Sequence, residues 1–475
     1  MAAIDSDFRE RAKEALADPK LRANLRKAMD GLMAKRAAQF PDAVEREALR
    51  DLGQAIRRRA LAKLPQLLQQ LESKCQENGI RIHWTQTPAE ANAVILGLIK
   101  DSGATFAVKG KSMATEEIHL NQILEEAGVM PVESDLGEYI IQLAEETPSH
   151  IVMPCIHKNT PEIAQLFHDK IEGAAYTEDP AELTAVARGI LRDRFAAAGV
   201  GLSGVNMAVA ETGTLVLVEN EGNGRLSTTV PDLHIAVMGI EKVVETLEDV
   251  PPLLSLLTRS ATGQPITTYV NMITGPRKPD EMDGPRAVHL VLIDNGRSRA
   301  YADPILRQTL QCIRCGACIN HCPVYTRVGG QVFAGPYPGP IGQMLAPQLE
   351  GLKAKGDLPT ACSLCNACVE VCPVRIPIAK VLVRLRGEAA GEGDGAVKQA
   401  GSRRKTLEVI SWKLWGLSHA SGWLYRMTGR LLTRFGHLSP MGSAPMKDWV
   451  TVRARPTFAK RTFHELMAKD REEGS

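Results

Sequence analysis

Eight of the ten cysteines fall within residues 312–372, in two segments of one design, CIRCGACINHCP and CSLCNACVEVCP. Each reads C-x2-C-x2-C-x3-C-P, and together they form the clear internal repeat of the chain. Thiolates at three-residue steps let one tight loop supply three corners of an iron–sulfur cubane. With this spacing, the fourth cysteine, before proline, goes to the other cluster of a two-cluster protein. The expected cofactors are two [4Fe-4S] clusters, one on Cys312, Cys315, Cys318 and Cys372, the other on Cys362, Cys365, Cys368 and Cys322. Gly316, Ala317 and Ala367 are small enough for backbone to turn closely around sulfide, and Pro323 and Pro373 stop the loop from continuing regularly. Zinc is the plain alternative, because two C-x2-C pairs build a tetrahedral site. It gives no reason, however, for a third cysteine at the same step and a fourth before proline, twice.

Other groups carry weaker signals. Cys75 and Cys155 lie outside the repeat and read as buried small hydrophobes. Gly110-Lys111-Ser112 resembles the end of a phosphate-binding loop, but that motif needs glycine at 105, where Thr105 stands. The loop could still offer backbone N–H groups, Lys109 and Lys111 to an anion, against the plainer reading of surface lysines. Glu133, Asp135 and Glu138 follow the apolar run VMPV, where ligand crevices of α/β sheets lie; helix capping is the favoured reading. Glu211 and the glycine-rich ENEGNGRL, with Gly222 and Gly224, are candidates for the same cleft, or for turns. No G-x-G-x-x-G follows a strand, so no resident nicotinamide or flavin is expected, and His150, His157 and His234 receive no catalytic role.

The elements that must position these groups follow from periodicity. Residues 1–75 read as amphipathic helices packed on the next domain, with Arg57, Arg58 and Arg59 as a solvated face. Over 76–300, β-branched runs (RIHWTQ, ATFAVKG, VMPVESD, SHIVMPC) alternate with helical stretches, including ATEEIHLNQILEEAG, which predicts an α/β domain with a mainly parallel sheet. VNMAVAETGTLVLVEN reads as two strands about an ETGT turn. Residues 301–390 hold the cysteines, with helical insertions expected between the two groups. Residues 387–405 have linker composition, and 391–475 form a tryptophan-rich helical tail with Trp412, Trp415, Trp423 and Trp449. Within 407–436, Trp412, Trp415, Leu417, Trp423, Leu424 and Leu431 beside Lys413 and Arg426 suggest docking to a partner or a membrane surface, against packing on the chain's own α/β domain.

Composition narrows the class. Hydrophobic residues at 44% and charged residues at 24% suit a globular protein, and a net charge of +2 gives no reason to expect nucleic acid as partner. The amino terminus has no signal-like apolar stretch and no segment reads as membrane-spanning, so a cytoplasmic location is expected.

VKGKSMATEEIHLNQILEEAGVMPVESDLGEYIIQL, GVNMAVAETGTLVLVENEGNGRL, the doubled cysteine motif and the tryptophan-rich tail, in that order, resemble the lactate utilization protein B (YkgF) family over nearly the whole chain. The resemblance implies a LUD-like domain of the NagB/RpiA/CoA-transferase-like group, followed by an α-helical ferredoxin-type domain like those of succinate dehydrogenase-type iron–sulfur subunits. It further implies an electron-transfer role in a three-protein system that oxidises L-lactate to pyruvate. The partners would be a CCG-type cysteine-rich iron–sulfur protein and a stand-alone LUD protein. No catalytic residue and no lactate-binding residue is identified. Glycolate or another 2-hydroxy acid is an alternative substrate, and a LUD domain acting as transferase or ligand sensor beside structural clusters is an alternative function.

Overall fold

The strands of the α/β region run β1 (Ile80–Thr85), β2 (Phe106–Lys109), β3 (Met130–Glu133), β4 (Val200–Gly204), β5 (Met207–Val209), β6 (Thr214–Glu219), β7 (Leu233–Gly239), β8 (Val243–Val244), β9 (Tyr269–Ile273) and β10 (Ala287–Ile293). Six form a parallel sheet in the order β1-β10-β7-β4-β2-β3, and four form a smaller sheet in the order β8-β5-β6-β9. Helices cover the parallel sheet, so its inner strands read as continuous apolar runs, and every residue of β7 is buried. The ETGT turn joins antiparallel β5 and β6 as expected. The computed structural model describes residues 8–391, 406–436 and 457–473, and the chain divides into two units, 1–402 and 403–475.

Two expected elements differ. Residues 149–155 (SHIVMPC) form no strand. His150 Nδ1 accepts the N–H groups of Val152 and Met153 at 3.0 and 3.2 Å, which turns the chain locally, and Pro154 has no N–H to give a ladder. The helix expected over ATEEIHLNQILEEAG breaks at His119 (φ 53°) into Met113–Glu117 and Leu120–Glu126. Here Asn92 Nδ2 donates to the Ile118 carbonyl at 2.8 Å, so that oxygen has a partner outside the helical ladder.

Four amino-terminal helices, Phe8–Ala17, Pro19–Ala38, Ala43–Ala62 and Leu64–Glu77, lead into β1. Asp18 and Asp42 cap the second and third through backbone N–H groups. Leu25, Met29, Ile56, Leu67 and Leu71 join the main core. The reading of Arg57 as solvated is corrected: it is 2% exposed, and its guanidinium donates to the carbonyls of Glu241, Val243, Leu310 and Gln311 at 2.5–3.3 Å. Irregular backbone from two regions converges there, and one planar five-donor group satisfies it. Arg58 and Arg59 remain exposed, Arg59 pairing with Glu245 and Asp249.

Between the cysteine groups, helices occupy Tyr325–Val328, Gly339–Leu349 and Leu352–Lys355. The second begins inside the Gly/Pro-rich stretch, has Pro340 in its first turn and is buried throughout. The helix Ile378–Ala389 takes in the first residues of the expected linker, while 392–405 lie outside the described residues.

In the carboxy-terminal unit, helices span Thr406–His419, Gly422–Phe435 and Phe463–Glu473. Trp412, Trp415, Leu417, Trp423 and Leu431 are exposed, and Trp449 lies outside the described residues. Among the described residues, no helix is long and apolar enough to cross a membrane.

Candidate iron–sulfur centre and adjoining cavity

The two cysteine segments repeat in conformation as well as in sequence. Each is preceded by a 3-10 turn, Leu306–Gln311 or Leu358–Ala361. Each then places two residues at positive φ, Arg314 (61°) and Gly316 (77°) in the first, Leu364 (56°) and Asn366 (64°) in the second, and enters a short helix, Ala317–Asn320 or Ala367–Val371. That curl aims backbone N–H groups inward at sulfur. Arg314 N donates to Cys312 Sγ at 3.3 Å and Leu364 N to Cys362 Sγ at 3.2 Å. Tyr325 N donates to Cys322 Sγ at 3.5 Å and Ile376 N to Cys372 Sγ at 3.3 Å. Non-glycine residues at positive φ are strained, and their coincidence at matched positions marks a functional loop.

Four of the eight cysteines meet at one cavity. Cys312, Cys315, Cys318 and Cys372 line one small apolar cavity, closed by Ile341, Met344 and Ile376. Cys322 and Cys368 instead feel the charges of Cys362 and Cys365, and Cys318 lies near enough to Cys368 for their thiolates to repel. The first loop is sealed: a Cβ on Gly316 would lie 3.3 Å from His150 and Val152. The second opens to solvent, with residues 363–366 exposed, Cys365 among them.

The donor set fits two cubanes. Burial pushes the Cys315 and Cys318 thiols well up, Cys372 and Cys322 to about 11 and Cys368 to about 12. Such thiols are inert unless a metal replaces the proton. Cationic side chains that can offset cluster charge surround the first quartet. Arg36 feels Cys315 and Cys372, Arg50 Nε donates to the Cys372 carbonyl at 3.1 Å, and Arg314 follows the first ligand position by two residues. The remaining cysteines are ordinary: Cys75 is buried, its thiol pushed by burial to about 12, and Cys155 packs in an apolar cluster.

Against the first quartet lies a cavity of about 280 Å³, which shares Ile151 and Arg314 with it. It sits at the carboxyl ends of β2 and β4, lined by Lys111, Ser112 and Asn206. From β2 the chain moves to β3 on one side of the sheet, and from β4 to β7 on the other, so the loops diverge and leave a crevice. Its floor is an ion network. Arg297 pairs with Glu117 at 2.8 Å and Glu241 at 2.6 Å, Arg314 pairs with Glu241 at 3.2 Å, and Tyr337 donates to Glu117 at 2.9 Å. Although burial works to raise Glu241, Arg297 and Arg314 hold it down at about 2. Burial, with Arg314 beside it, pushes Lys242 down to about 7, and Glu241 works against that shift.

Several expected site groups fall elsewhere. Lys109 is neither an anion donor nor a surface lysine: it is fully buried between Glu116 at 2.8 Å and Glu133 at 2.6 Å. Against the cost of burial, those carboxylates hold its ammonium charged. Lys111 reaches the cavity. Of the three acids, Asp135 does cap a helix, accepting Glu138 N, whereas Glu138 is buried 3.6 Å from Lys111, and burial lifts it to about 8. Glu211 is exposed and accepts Leu247 N, outside the cavity; Glu219, Glu221 and Gly224 line it, and Gly222 (φ 83°) is the turn. His234 is buried against Ser203 at 2.8 Å. Glu241, Lys242 and Arg314 were not picked out from sequence. The signal for the first two was a pair of charges directly after the apolar run IAVMGI.

Three family descriptions match: "LUD domain" over residues 68–293, "4Fe-4S dicluster domain" over 308–376, and "Lactate utilisation protein B, C-terminal" over 384–472. Lactate utilization protein B of Bacillus pumilus is 40% identical over 474 residues, covering 98% of each chain. The "uncharacterized electron transport protein YkgF" of Escherichia coli is 39% identical over 471 residues, 98% of this chain and 97% of its own. A solved DUF162 family protein of Deinococcus radiodurans covers 48% of this chain and 98% of its own at a TM-score of 0.28 and 15% identity, too slight a likeness to carry an argument. With its doubled cysteine loops in a dicluster domain, the chain is an iron–sulfur protein with two [4Fe-4S] clusters. It belongs to the lactate utilization protein B family.

Proposed function

We propose that this chain is the electron-carrying iron–sulfur subunit of a multi-protein system that oxidises L-lactate to pyruvate and allows growth on lactate. The system would work in the cytoplasm, with a CCG-type cysteine-rich iron–sulfur protein and a stand-alone LUD protein as partners. One cluster is held by Cys312, Cys315, Cys318 and Cys372, the other by Cys362, Cys365, Cys368 and Cys322. Residues 76–300 are a LUD-like domain of the NagB/RpiA/CoA-transferase-like group, 301–390 a ferredoxin-type helical domain, 1–75 a helical lead-in and 391–475 a separate tail.

The observation that carries this reading is the unequal setting of the two quartets: one is sealed against a polar cavity, the other reaches solvent through residues 363–366. When bound, each cluster supplies one-electron transfer at a potential tuned by hydrogen bonds to sulfur and by solvent exposure. Arg314, Leu364, Tyr325 and Ile376 provide such N–H bonds. The short helices that carry Cys318 and Cys368, Ala317–Asn320 and Ala367–Val371, pack together, so charge entering beside the cavity can leave at the exposed loop. The names of the relatives support lactate as the substrate and electron transport as the task.

The test is anaerobic purification followed by iron and sulfide analysis and low-temperature EPR, with and without the two partners. About eight iron and eight sulfide per chain are expected, with reduced-cluster signals appearing on addition of L-lactate only when the partners are present. Full clusters that lactate never reduces, while glycolate does, would move the assignment to another 2-hydroxy acid. Clusters that neither acid reduces would refute the carrier role.

A further inference from the structure

We propose that the cavity at the carboxyl ends of β2 and β4 binds a small monocarboxylate bearing a 2-hydroxy or 2-oxo group, with Arg314, Lys242 and Lys111 holding the carboxylate beside the first cysteine quartet. The inference rests on the electron-carrying role proposed above and names where the substrate or product of that role sits.

Three cations line the cavity with bonding capacity to spare. The Arg314 side chain is 8% exposed; one nitrogen of its guanidinium reaches Glu241, and Nη1 has no partner. Lys111 Nζ makes no hydrogen bond, its nearest acid being Glu138 at 3.6 Å. Lys242 makes no hydrogen bond or ion pair among the described residues. A buried donor without a partner is costly, so the Arg314 and Lys111 nitrogens point to a ligand that completes them, with the half-buried Lys242 ammonium beside it. Arg297 is different, its guanidinium already engaged by Glu117, Glu241 and the Asp294 carbonyl.

Acids in the same cavity limit ligand charge. Asp135, Glu219 and Glu221 line the same cavity, their carboxylates fixed by the N–H groups of Glu138, Gly224 and Leu136. A second negative charge on the ligand would meet them, which disfavours phosphate esters and coenzyme A thioesters. Asn206, Asn223, Thr258 and Thr262 supply neutral donors and acceptors for a hydroxyl or keto oxygen. About 280 Å³ lies just under the roughly 300 Å³ at which drug-sized pockets begin, so the space suits a small acid. The β4 and β2 loops also meet closely: a Cβ on Gly204 would come 2.9 Å from Ser112 Oγ. Arg314 joins the two centres within one residue, N–H on Cys312 Sγ and guanidinium in the cavity.

The test titrates the full-length holoprotein, anaerobic and without partners, with L-lactate, pyruvate, propionate and inorganic phosphate by calorimetry. EPR of the dithionite-reduced sample follows the same titration. Lactate or pyruvate should saturate one site and shift the signal of one cluster, with propionate at least ten-fold weaker and phosphate silent. Lys242→Met and Lys111→Met, with iron and sulfide unchanged, should each weaken binding about ten-fold, and Arg314→Lys should also abolish the EPR shift. Absence of saturable binding, phosphate binding as tight as pyruvate, or affinity indifferent to both lysine variants would overturn the site. Lactate-driven cluster reduction in the full complex without binding here would sink this inference and leave the carrier role standing. Binding here without such reduction would do the reverse.

Discussion

Arg314 Nη2 stands 3.2 Å from Glu241 Oε1, an ion pair that fastens the first cysteine loop to the turn after β7. Glu241 also holds Arg297 at 2.6 Å, so one buried carboxylate serves two buried guanidinium groups. The Arg314 guanidinium lies over the Tyr337 ring at 4.9 Å, which adds a smaller attraction. The α/β sheet and the cysteine segment are thus coupled by charge at the point where both border the cavity.

Glu241→Gln should therefore cost far more than a surface carboxylate. Removing one partner of a buried pair leaves an uncompensated charge, with losses of about 3–5 kcal/mol. Thermal unfolding of the anaerobic protein should show a clear drop in Tm, together with partial loss of iron. A Tm unchanged from wild type would mean that Arg314 and Arg297 find other acceptors.

The two quartets should differ in vulnerability. Cys365 and its neighbours 363–366 are exposed, while Cys315 and Gly316 are buried beneath residues 150–152. A chelator or mild oxidant should remove roughly half the iron in a fast phase, leaving the EPR signal of the cavity-side cluster. Cys365→Ala and Cys315→Ala should each lose about four iron, but only Cys365→Ala should abolish the fast phase. A single rate for all iron in the wild type would contradict the assignment of an outer and an inner cluster.

Cluster chemistry was legible because it is local: four thiolates per cubane impose a spacing, and that spacing appears twice. The parallel sheet was legible for a related reason, since strands buried on both faces read as apolar runs. The cavity was not, because Lys111, Lys242 and Arg314 come from three distant segments and no short pattern joins them. Arg57 misled because helical periodicity reports on apolar neighbours and is blind to carbonyls arriving from residues 241–311. SHIVMPC misled because its β-branched content favours a strand, while His150 satisfies backbone N–H groups that a ladder would have used. Lys109, apparently half of a basic pair, is consumed by Glu116 and Glu133, a carboxylate arrangement visible only after β2 and β3 are aligned.

Acid should weaken the sheet through His234. Its ring is fully buried with Nε2 on Ser203 and Nδ1 without a partner, and burial pushes it from the ordinary 6.5 down to about 4. The folded state then binds fewer protons than the unfolded one between those values, so stability is complete above pH 6.5 and falls as pH drops toward 4. At pH 5 the loss from this one group is about 2 kcal/mol. Denaturant midpoints at pH 7 and pH 5 should draw closer in His234→Gln than in wild type. His150 and His289, also pushed to about 4 by burial, should leave a residual acid slope in that variant. Identical slopes in the two proteins would show that His234 takes up its proton as readily in the fold as in the unfolded chain.

Arg57 provides a sharper contrast, because its neighbour in sequence is a control. Its guanidinium bonds four carbonyls drawn from the turn after β7 and the approach to Cys312, and only 2% of the residue meets solvent. Arg57→Leu strands those oxygens, each at a cost of about 1–3 kcal/mol if no water replaces the donor. Arg58→Leu alters an exposed position, where substitutions stay within about 0.5 kcal/mol. Beyond stability, the carbonyls of Leu310 and Gln311 immediately precede the first ligand position, so losing Arg57 should loosen the first loop before the second. The expected outcome is a lower Tm with iron lost from the cavity-side cluster in Arg57→Leu, and neither effect in Arg58→Leu. Equal behaviour of the two variants would return Arg57 to the solvated face that its sequence context suggests.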